Sequence, residues 1–140
     1  MKLIARDVEL VVDGTDLSDH IHTIGGPALK WPNIDVTGMG AKFVERLLGI
    51  GDLSVPVEFF NDYDAGSVYA TLYPLAGSNT PFPVSILPVK TGGPSATNPR
   101  FYFLAVLDGF DAVNAQTGAA AMTSCTLWNA DQSGLTVYTT

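Results

Sequence analysis

The clearest pattern along the chain is an alternation of apolar and polar residues, interrupted at short intervals by turn residues. The stretch "DLSVPVEFF" (residues 52–60) is the most regular case. It places four apolar residues on one face: Leu53, Val55, Val57 and Phe59. Similar runs are "DVELVVDG", "HIHTI", "PFPVSILPV", "RFYFLAVLDGF" and "AAAMTSCTLWNA". A period of two with frequent turn residues predicts β-strands. The dipeptide Asp13-Gly14 accepts the positive φ of a tight turn, so it predicts the end of the first strand.

One segment departs from this alternation and has helical spacing instead. In "NDYDAGSVYATLYPLAG" the apolar residues at that spacing are Val68, Leu72 and Leu75. Asp64 is a candidate helix cap and Gly77 a candidate stop. The spacing predicts a helix from about residue 65 to residue 75, whose apolar stripe packs on a sheet.

These elements predict an α+β fold that is mostly β. One helix among antiparallel strands indicates an antiparallel β-sandwich or split barrel, with one flanking α-helix at about residues 65–75. A length of 140 residues is a common size for one domain with one core. We therefore expect a single domain over residues 1–140.

Composition and charge exclude several classes of function. Seven Lys and Arg against fourteen Asp and Glu give a net charge of -7, which repels phosphate backbones. No run of about 18 apolar residues is present, as a membrane helix would require. Only 15% of residues are charged, below the roughly 25% typical of soluble domains. We expect no sequence-specific DNA binding and no membrane anchor, and we expect part of the surface to be covered by other chains.

The stretch "DGTDLSDHIHTI" (residues 13–24) contains both histidines, His20 and His22. On a regular strand the two would share one face, a spacing that zinc sites use. Asp16 and Asp19, however, lie in the predicted turn, where aspartate side chains usually cap backbone N–H groups. We interpret the stretch as a turn and a strand, and expect neither a metal site nor a cofactor.

Residues that could act as nucleophiles stand in no catalytic pattern. Cys125 lies within "MTSCTLW", an alternating run in which a small thiol commonly packs into the core. Ser67, Ser85 and Ser124 belong to no nucleophile-elbow or Ser-x-x-Lys motif. The glycine-rich pieces lack the ending of a phosphate-binding loop. The sequence therefore predicts a protein that is not an enzyme.

The most informative segment is "GMGAKFVERLLGIGD", residues 38–52, which is bounded by glycines. Two interpretations stay open: a short amphipathic helix over the core, or an apolar flap that covers a neighbouring subunit. The second makes eight residues candidates for a subunit interface: Met39, Lys42, Phe43, Val44, Arg46, Leu47, Leu48 and Ile50. Lys42 and Arg46 would then meet carboxylates of the next copy.

Four stretches together resemble a known family: "VELVVDGTDLSDHI", "DVTGMGAKFVERLLGIGDLSVPVEFFNDYDAGSVYATLYPL", "ATNPRFYFLAVLDGF" and "GAAAMTSCTLW". The chain resembles, over nearly its whole length, the major tail proteins, or tail tube proteins, of long-tailed (siphovirus-type) bacteriophages. Tail terminators, head–tail connectors and baseplate hub domains share the same basic fold. The resemblance rests on a pattern of elements and not on a catalytic signature.

The resemblance implies a structural virion protein that assembles as hexameric rings, stacked into a hollow tube through which the genome passes. The implied partners are further copies of the chain, and other tail proteins such as the tape measure, terminator and distal tail proteins. DNA passes only transiently and without specificity. The implied location is the virion tail, after synthesis in the cytoplasm of the bacterial host. The alternatives are a tail terminator, a head–tail connector or a capsid decoration protein.

An acidic chain suits such a conduit, because a negative lumen repels DNA during its passage. Asp52 and Glu58 lie on the polar face of the most regular strand. We expect these two carboxylates to be exposed in the assembly, as candidates for the lining of the lumen.

Overall fold

A computed structural model describes residues 7–115 and 117–140, and these contain eleven strands and one α-helix. The strands are β1 (Glu9–Val12), β2 (Thr15–Asp16), β3 (Ile21–Ile24), β4 (Ala28–Lys30), β5 (Asn33–Asp35), β6 (Arg46–Leu48), β7 (Asp52–Phe60), β8 (Phe82–Leu87), β9 (Arg100–Leu107), β10 (Met122–Asn129) and β11 (Thr136–Tyr138). The helix is α1 (Val68–Leu72), extended by a 3₁₀ turn, Tyr73–Leu75.

Nine strands form one curled antiparallel sheet. Its order is β2-β1-β8-β9-β10-β7-β3, with β11 added beside β9 and β4 beside β7. The two remaining strands, β5 and β6, pair only with each other. The curled sheet and the single helix confirm the predicted fold class, which is mostly β and resembles a half-open barrel.

The core lies between the inner face of this sheet and α1. The alternation predicted for β7 is present: Leu53, Val55, Val57 and Phe59 are buried, and the residues between them are exposed or half-buried. Strands β1, β8, β9 and β10 each contribute buried apolar residues to the same cluster. One continuous core therefore holds the sheet together.

The helix is shorter than its sequence predicts. It begins at Val68 and not at residue 65, and Asp64 does not cap it. The carbonyl of Asp64 instead accepts a hydrogen bond from the Ser67 amide (3.1 Å) in the turn that precedes the helix. The apolar stripe is as predicted, because Val68 and Leu72 are fully buried and Leu75 packs on the core.

The turn between β1 and β2 is the predicted one. Asp13 (φ 49°) and Gly14 (φ 80°) both lie in the left-handed region, as the tight turns of β-hairpins with primed geometry require. The following strand differs from its prediction. Ile21 pairs with Phe59 and Thr23 with Glu58, so His22 is an extra residue in a β-bulge. The bulge lets both Ile21 and Ile24 pack against the core, although strict alternation placed them on opposite faces.

The C-terminal stretch "DQSGLTVYTT" adds a strand to the sheet. This strand, β11, pairs with the first half of β9. The second half of the same edge of β9 pairs with β10. In the described part of the chain, no helix is long and apolar enough to cross a membrane.

Candidate functional site

The most distinctive feature is a β-hairpin that projects from the edge of the sheet. The ladder between β4 and β7 continues into the ladder between β5 and β6. Between the two ladders, residues 31–32 on one strand oppose residues 49–51 on the other, which places one extra residue in a bulge. Pro32 lies at this bulge, a position that tolerates proline because no ladder hydrogen bond needs its missing N–H group. Bulges bend and twist a strand pair. We call residues 31–51 the arm and its loop, residues 38–44, the arm tip.

The arm corrects one of the two sequence interpretations. The segment at residues 38–52 contains no helix, because β6 pairs with β5 through Asn33–Leu48, Ile34–Leu47 and Asp35–Arg46. The hairpin continues through a bond from the Val36 amide to the Glu45 carbonyl (2.9 Å). The projecting element also begins earlier than residue 38, since its first strand is β5. Asp52 belongs to β7 of the main sheet.

The arm exposes an unusual amount of apolar surface. Of seventeen large apolar side chains exposed among the described residues, nine lie in the arm, from Trp31 to Ile50. Exposed fractions reach 106% for Met39, 87% for Phe43 and 91% for Ile50. A two-stranded hairpin is at best marginally stable alone, and exposed apolar clusters mark interaction sites. The arm is therefore the candidate assembly element of the chain.

Six of the eight predicted interface residues are exposed apolar side chains of the arm: Met39, Phe43, Val44, Leu47, Leu48 and Ile50. The other two, Lys42 and Arg46, are exposed cations. Leu47 lies directly opposite Ile34, and Leu48 opposite Asn33. Directly opposed residues share a face of a hairpin, so Leu47 and Leu48 lie on different faces and both faces carry apolar groups.

Two glycines on the returning strand let ring side chains lie against the backbone. A Cβ atom at Gly51 would come within 2.3 Å of the Trp31 indole nitrogen. A Cβ at Gly49 would come within 2.7 Å of the Pro32 ring. Glycine is therefore required at both positions for the observed packing at the base of the arm.

The arm also carries cations without an ion-pair partner in the described residues. Lys90 pairs with Asp16 and Arg100 with Glu9. Lys42 and Arg46 of the arm, and Lys30 at the end of β4 just before it, form no salt bridge with any described group. Hydrogen bonds from Thr37 hold the pKa of the Asp35 carboxyl below its usual value, so this exposed side chain stays ionised. The cations of the arm remain available for a partner.

A groove of about 900 Å³ lies at the base of the arm. It runs between the arm base (Leu29, Trp31 and Ile50) and the loop and strand of residues 129–137. We call it the root groove. Its lining includes the carboxylates Asp52 and Asp131 and no cation. The two chain segments that form it are far apart in sequence, so sequence reasoning missed it.

Glu58 lies on the outward face of the sheet, away from the core. It is half-buried between Thr23 of β3 and Ser124 of β10, the residues directly opposite it. Asp52, six residues earlier on the same face of β7, is exposed at the root groove. The two predicted acidic residues thus share a face but occupy different surroundings.

The two histidines do not share one face. His20 lies in a 3₁₀ turn, Ser18–His20, before β3, and His22 is the bulged residue whose ring meets Phe60 edge-on at 5.1 Å. The His20 Nε2 atom lies 3.2 Å from Ser67 Oγ and 3.6 Å from Asp62 Oδ2. Sequence reasoning missed this cluster, because its members are 47 residues apart.

The cluster of His20, Asp62 and Ser67 lacks the geometry of a catalytic triad. In a triad the histidine stands between serine and carboxylate and takes the serine proton. Here the Ser67 hydroxyl donates directly to Asp62 Oδ2 at 2.8 Å. The Asp64 amide and then the Ser67 hydroxyl hold the pKa of Asp62 below its usual value. The cluster ties the start of α1 to the turn before β3.

The aspartates of residues 13–24 match their predicted role as turn formers only in part. Asp16 Oδ1 accepts a hydrogen bond from the Ser18 amide at 2.9 Å, as predicted. Burial raises its pKa, but bonds from Lys90 (2.7 Å) and Ser18 outweigh burial and lower the pKa to about 2. The carboxylate of Asp19 accepts no hydrogen bond from any described group, so the prediction that it caps backbone N–H groups is wrong.

Cys125 is buried in β10, as predicted. Burial, and then the nearby Asp108 charge, raise the pKa of its thiol to about 12, which keeps it protonated and unreactive. Among the described residues, no group of three or more His, Cys, Asp or Glu side chains is arranged to hold a metal ion.

Comparison by sequence matches the chain to no protein-family model and to no curated protein. Comparison of folds gives clear similarities over the whole chain. A chain of the PVC sheath–tube complex, an extracellular contractile injection system in its extended state, is 9% identical. It superimposes with a TM-score of 0.70 over 99% of this chain and 93% of its own.

Two further structures are similar. The SPP1 tail tube is 15% identical, with a TM-score of 0.69 over 99% of this chain and 80% of that chain. A chain in the tail of the empty GTA particle, refined with C6 symmetry, is 12% identical, with a TM-score of 0.62 over 95% of this chain and 93% of that chain. At such low identity the similarity establishes the fold alone. The chain has the fold seen in phage tail tubes and in related tail and injection assemblies.

Proposed function

We propose that the chain is a structural virion protein, the subunit of a phage tail tube. Copies associate into rings, and the rings stack into a hollow tube through which the genome is delivered. The observation that carries the proposal is the arm: a chain with a tail-tube fold projects a hairpin of exposed apolar residues that no part of its own core covers.

A self-assembling tube needs contacts between different surfaces of identical copies. Such heterologous contacts close into rings or continue as helical stacks. The arm supplies one such surface, and the eight candidate interface residues from Met39 to Ile50 are its contacts. The C6 symmetry of the GTA tail supports six copies per ring. The low charged fraction of 15% suits a surface that is largely covered by neighbours.

The proposed partners are further copies of the chain and other tail proteins, such as the tape measure, terminator and distal tail proteins. The protein belongs in the virion tail, after synthesis in the host cytoplasm. A tail terminator, head–tail connector or capsid decoration protein is the second candidate, because the sequence resemblance leaves these virion roles open. Such proteins form closed rings or trimers and do not polymerise.

Electron microscopy of the purified protein separates these candidates. We expect hollow tubes of uniform diameter at high protein concentration, because the arm leaves each ring with an unsatisfied apolar contact. Discrete rings without stacking would support a terminator or connector. A stable monomer at every concentration and salt would reject both proposals.

The proposed lumen is acidic. Glu58 lies on the outward face of the sheet among neutral, small side chains, Thr23, Ser124 and Thr126. We assign the part of this face around Glu58 to the lumen, and the part around Asp52, at the base of the arm, to a subunit contact. A negative wall repels DNA and lets it slide without sticking.

Tubes of a Glu58→Lys variant, assembled with short double-stranded DNA present, are expected to retain DNA that sediments with them and is released by salt. Wild-type tubes should retain none. Asp64→Lys has the same net charge but changes a residue beside the helix, so it is the control. Equal DNA retention by the two variants, or none by either, would reject the lumen assignment of Glu58.

A further inference from the structure

The root groove and the arm tip lie at opposite ends of the same hairpin. From Trp31 to Thr37 the arm strand is extended, and at about 3.3 Å per residue these residues span roughly 20 Å. The hairpin bonds between residues 36–37 and Glu45 keep this part of the arm paired. The tip therefore cannot fold back into the groove at its own base. A groove at one end of an element and an exposed tip at the other are suited to a contact between copies.

The chemistry of the two surfaces is complementary. The tip carries two highly exposed apolar residues, Met39 and Phe43, with the cation Lys42 next to Phe43. The lining of the root groove includes the apolar residues Trp31, Leu53 and Leu135, and two carboxylates. One of these, Asp131, is held in place because its Oδ1 atom accepts the Ser133 amide at 3.1 Å. Opposite charges beside apolar surfaces favour docking in one orientation.

We propose that the arm tip of one copy occupies the root groove of the next copy. Met39 and Phe43 enter the apolar part of the groove, and Lys42 faces Asp52 and Asp131. The inference rests on the proposed function and specifies the receiving site for the arm. Since each copy offers one tip and one groove, the contact is heterologous and every docked copy presents a new free groove or tip.

A cross-linking experiment tests this contact directly. In a Cys125→Ala background, the pair Ala41→Cys and Gln132→Cys places one thiol on the tip and one in the groove lining, and leaves Met39, Lys42 and Phe43 in place. Tubes of this variant, oxidised and then denatured, should yield a ladder of covalent oligomers. The control pair is Ala41→Cys with Val113→Cys, which is exposed near the opposite end of β7. It should yield no ladder. Circular dichroism checks that each variant is folded.

A charge cycle gives a second, milder test. Lys42→Gln and Asp131→Asn are each expected to raise the critical concentration for assembly by roughly two- to five-fold at low salt, the range of an exposed ion pair. Asparagine keeps an acceptor for the Ser133 amide. The double variant should assemble no worse than whichever single variant assembles less well, since the effects of substituting two residues in contact are not additive. Lys30→Gln, a cation outside the tip, is the control and should have no such coupling with Asp131→Asn.

The outcomes distinguish a failure of the tip–groove contact from a failure of the proposed tube function. Tubes that form but give no ladder from the tip–groove pair overturn the inference and leave the tube function intact. A cross-link confined to single chains overturns it as well, because the tip would then reach its own groove. Failure of the unaltered protein to form tubes or rings would overturn the proposed function and the inference together.

Discussion

Removal of the arm is expected to abolish tube formation while the subunit stays folded. In the variant, an Asn-Gly turn replaces residues 33–48 and joins Pro32 to Gly49, whose amide already bonds to the Pro32 carbonyl (2.8 Å). No residue between 31 and 48 is even half-buried, so the core loses nothing. We expect a thermal unfolding midpoint within a few degrees of the wild type, and a monomer by light scattering and microscopy at concentrations where the wild type is polymeric.

This deletion is sharper than one of residues 40–50, which would remove β6 and leave β5 without a partner. A point variant with Met39→Ser and Phe43→Ser tests the same claim without shortening the chain. Val113→Ser, which removes an exposed apolar side chain outside the arm, is the matched control and should assemble normally. Tubes of normal length from the armless protein would show that other surfaces drive assembly.

The substitution Phe59→Ala is expected to lower the free energy of unfolding by about 3–5 kcal/mol, the usual cost of emptying a large buried aromatic site. The Phe59 side chain is fully buried near the C-terminal end of β7, where β10 and β3 pair with the strand on both sides. Its loss should also reduce assembly, because part of the population would unfold. Denaturant titration measures the change.

Phe60 is the matched control, because it is the next residue and points to the opposite face, where it is 38% exposed. Phe60→Ala should cost roughly 1 kcal/mol or less, since it empties no core site. Its ring lies 5.1 Å from the His22 ring in a T-shaped arrangement. Equal losses from the two substitutions would contradict the position of the core on one side of β7.

Sequence alone predicted the elements whose structure depends on their own residues. The alternation in β7 predicted which of its faces is buried, because the strand is regular from Asp52 to Phe60 and the core covers one side of it. The Asp13-Gly14 turn was predicted because both residues tolerate positive φ. The burial of Cys125 followed from the same alternation in β10.

The failures came where distant pairing decides local structure. The bulge at His22 arises from the register with β7, and no local pattern in "HIHTI" reveals it. The helix interpretation of residues 38–52 was wrong for a similar reason. The apolar spacing there suits a helix, but β6 pairs with β5, a strand that the sequence did not connect with it.

Sequence alone identified the residues of the arm that form the candidate site, but it did not predict how the site is built in three dimensions. Its exposed apolar residues and its two cations, Lys42 and Arg46, could be identified from one segment of the sequence. The root groove could not, because it brings the base of the arm together with residues 129–137 through the placement of β10 and β11. The docking partner of the arm therefore emerges only from the folded chain.

A cryo-electron microscopy reconstruction of the assembled protein tests the central claim most directly. We predict a hollow tube of stacked rings, with the arm of each copy buried against a neighbouring copy and the outward sheet face that carries Glu58 exposed to the channel. A solid filament, a closed particle without stacking, or a tube in which the arms extend freely into solvent would contradict the account.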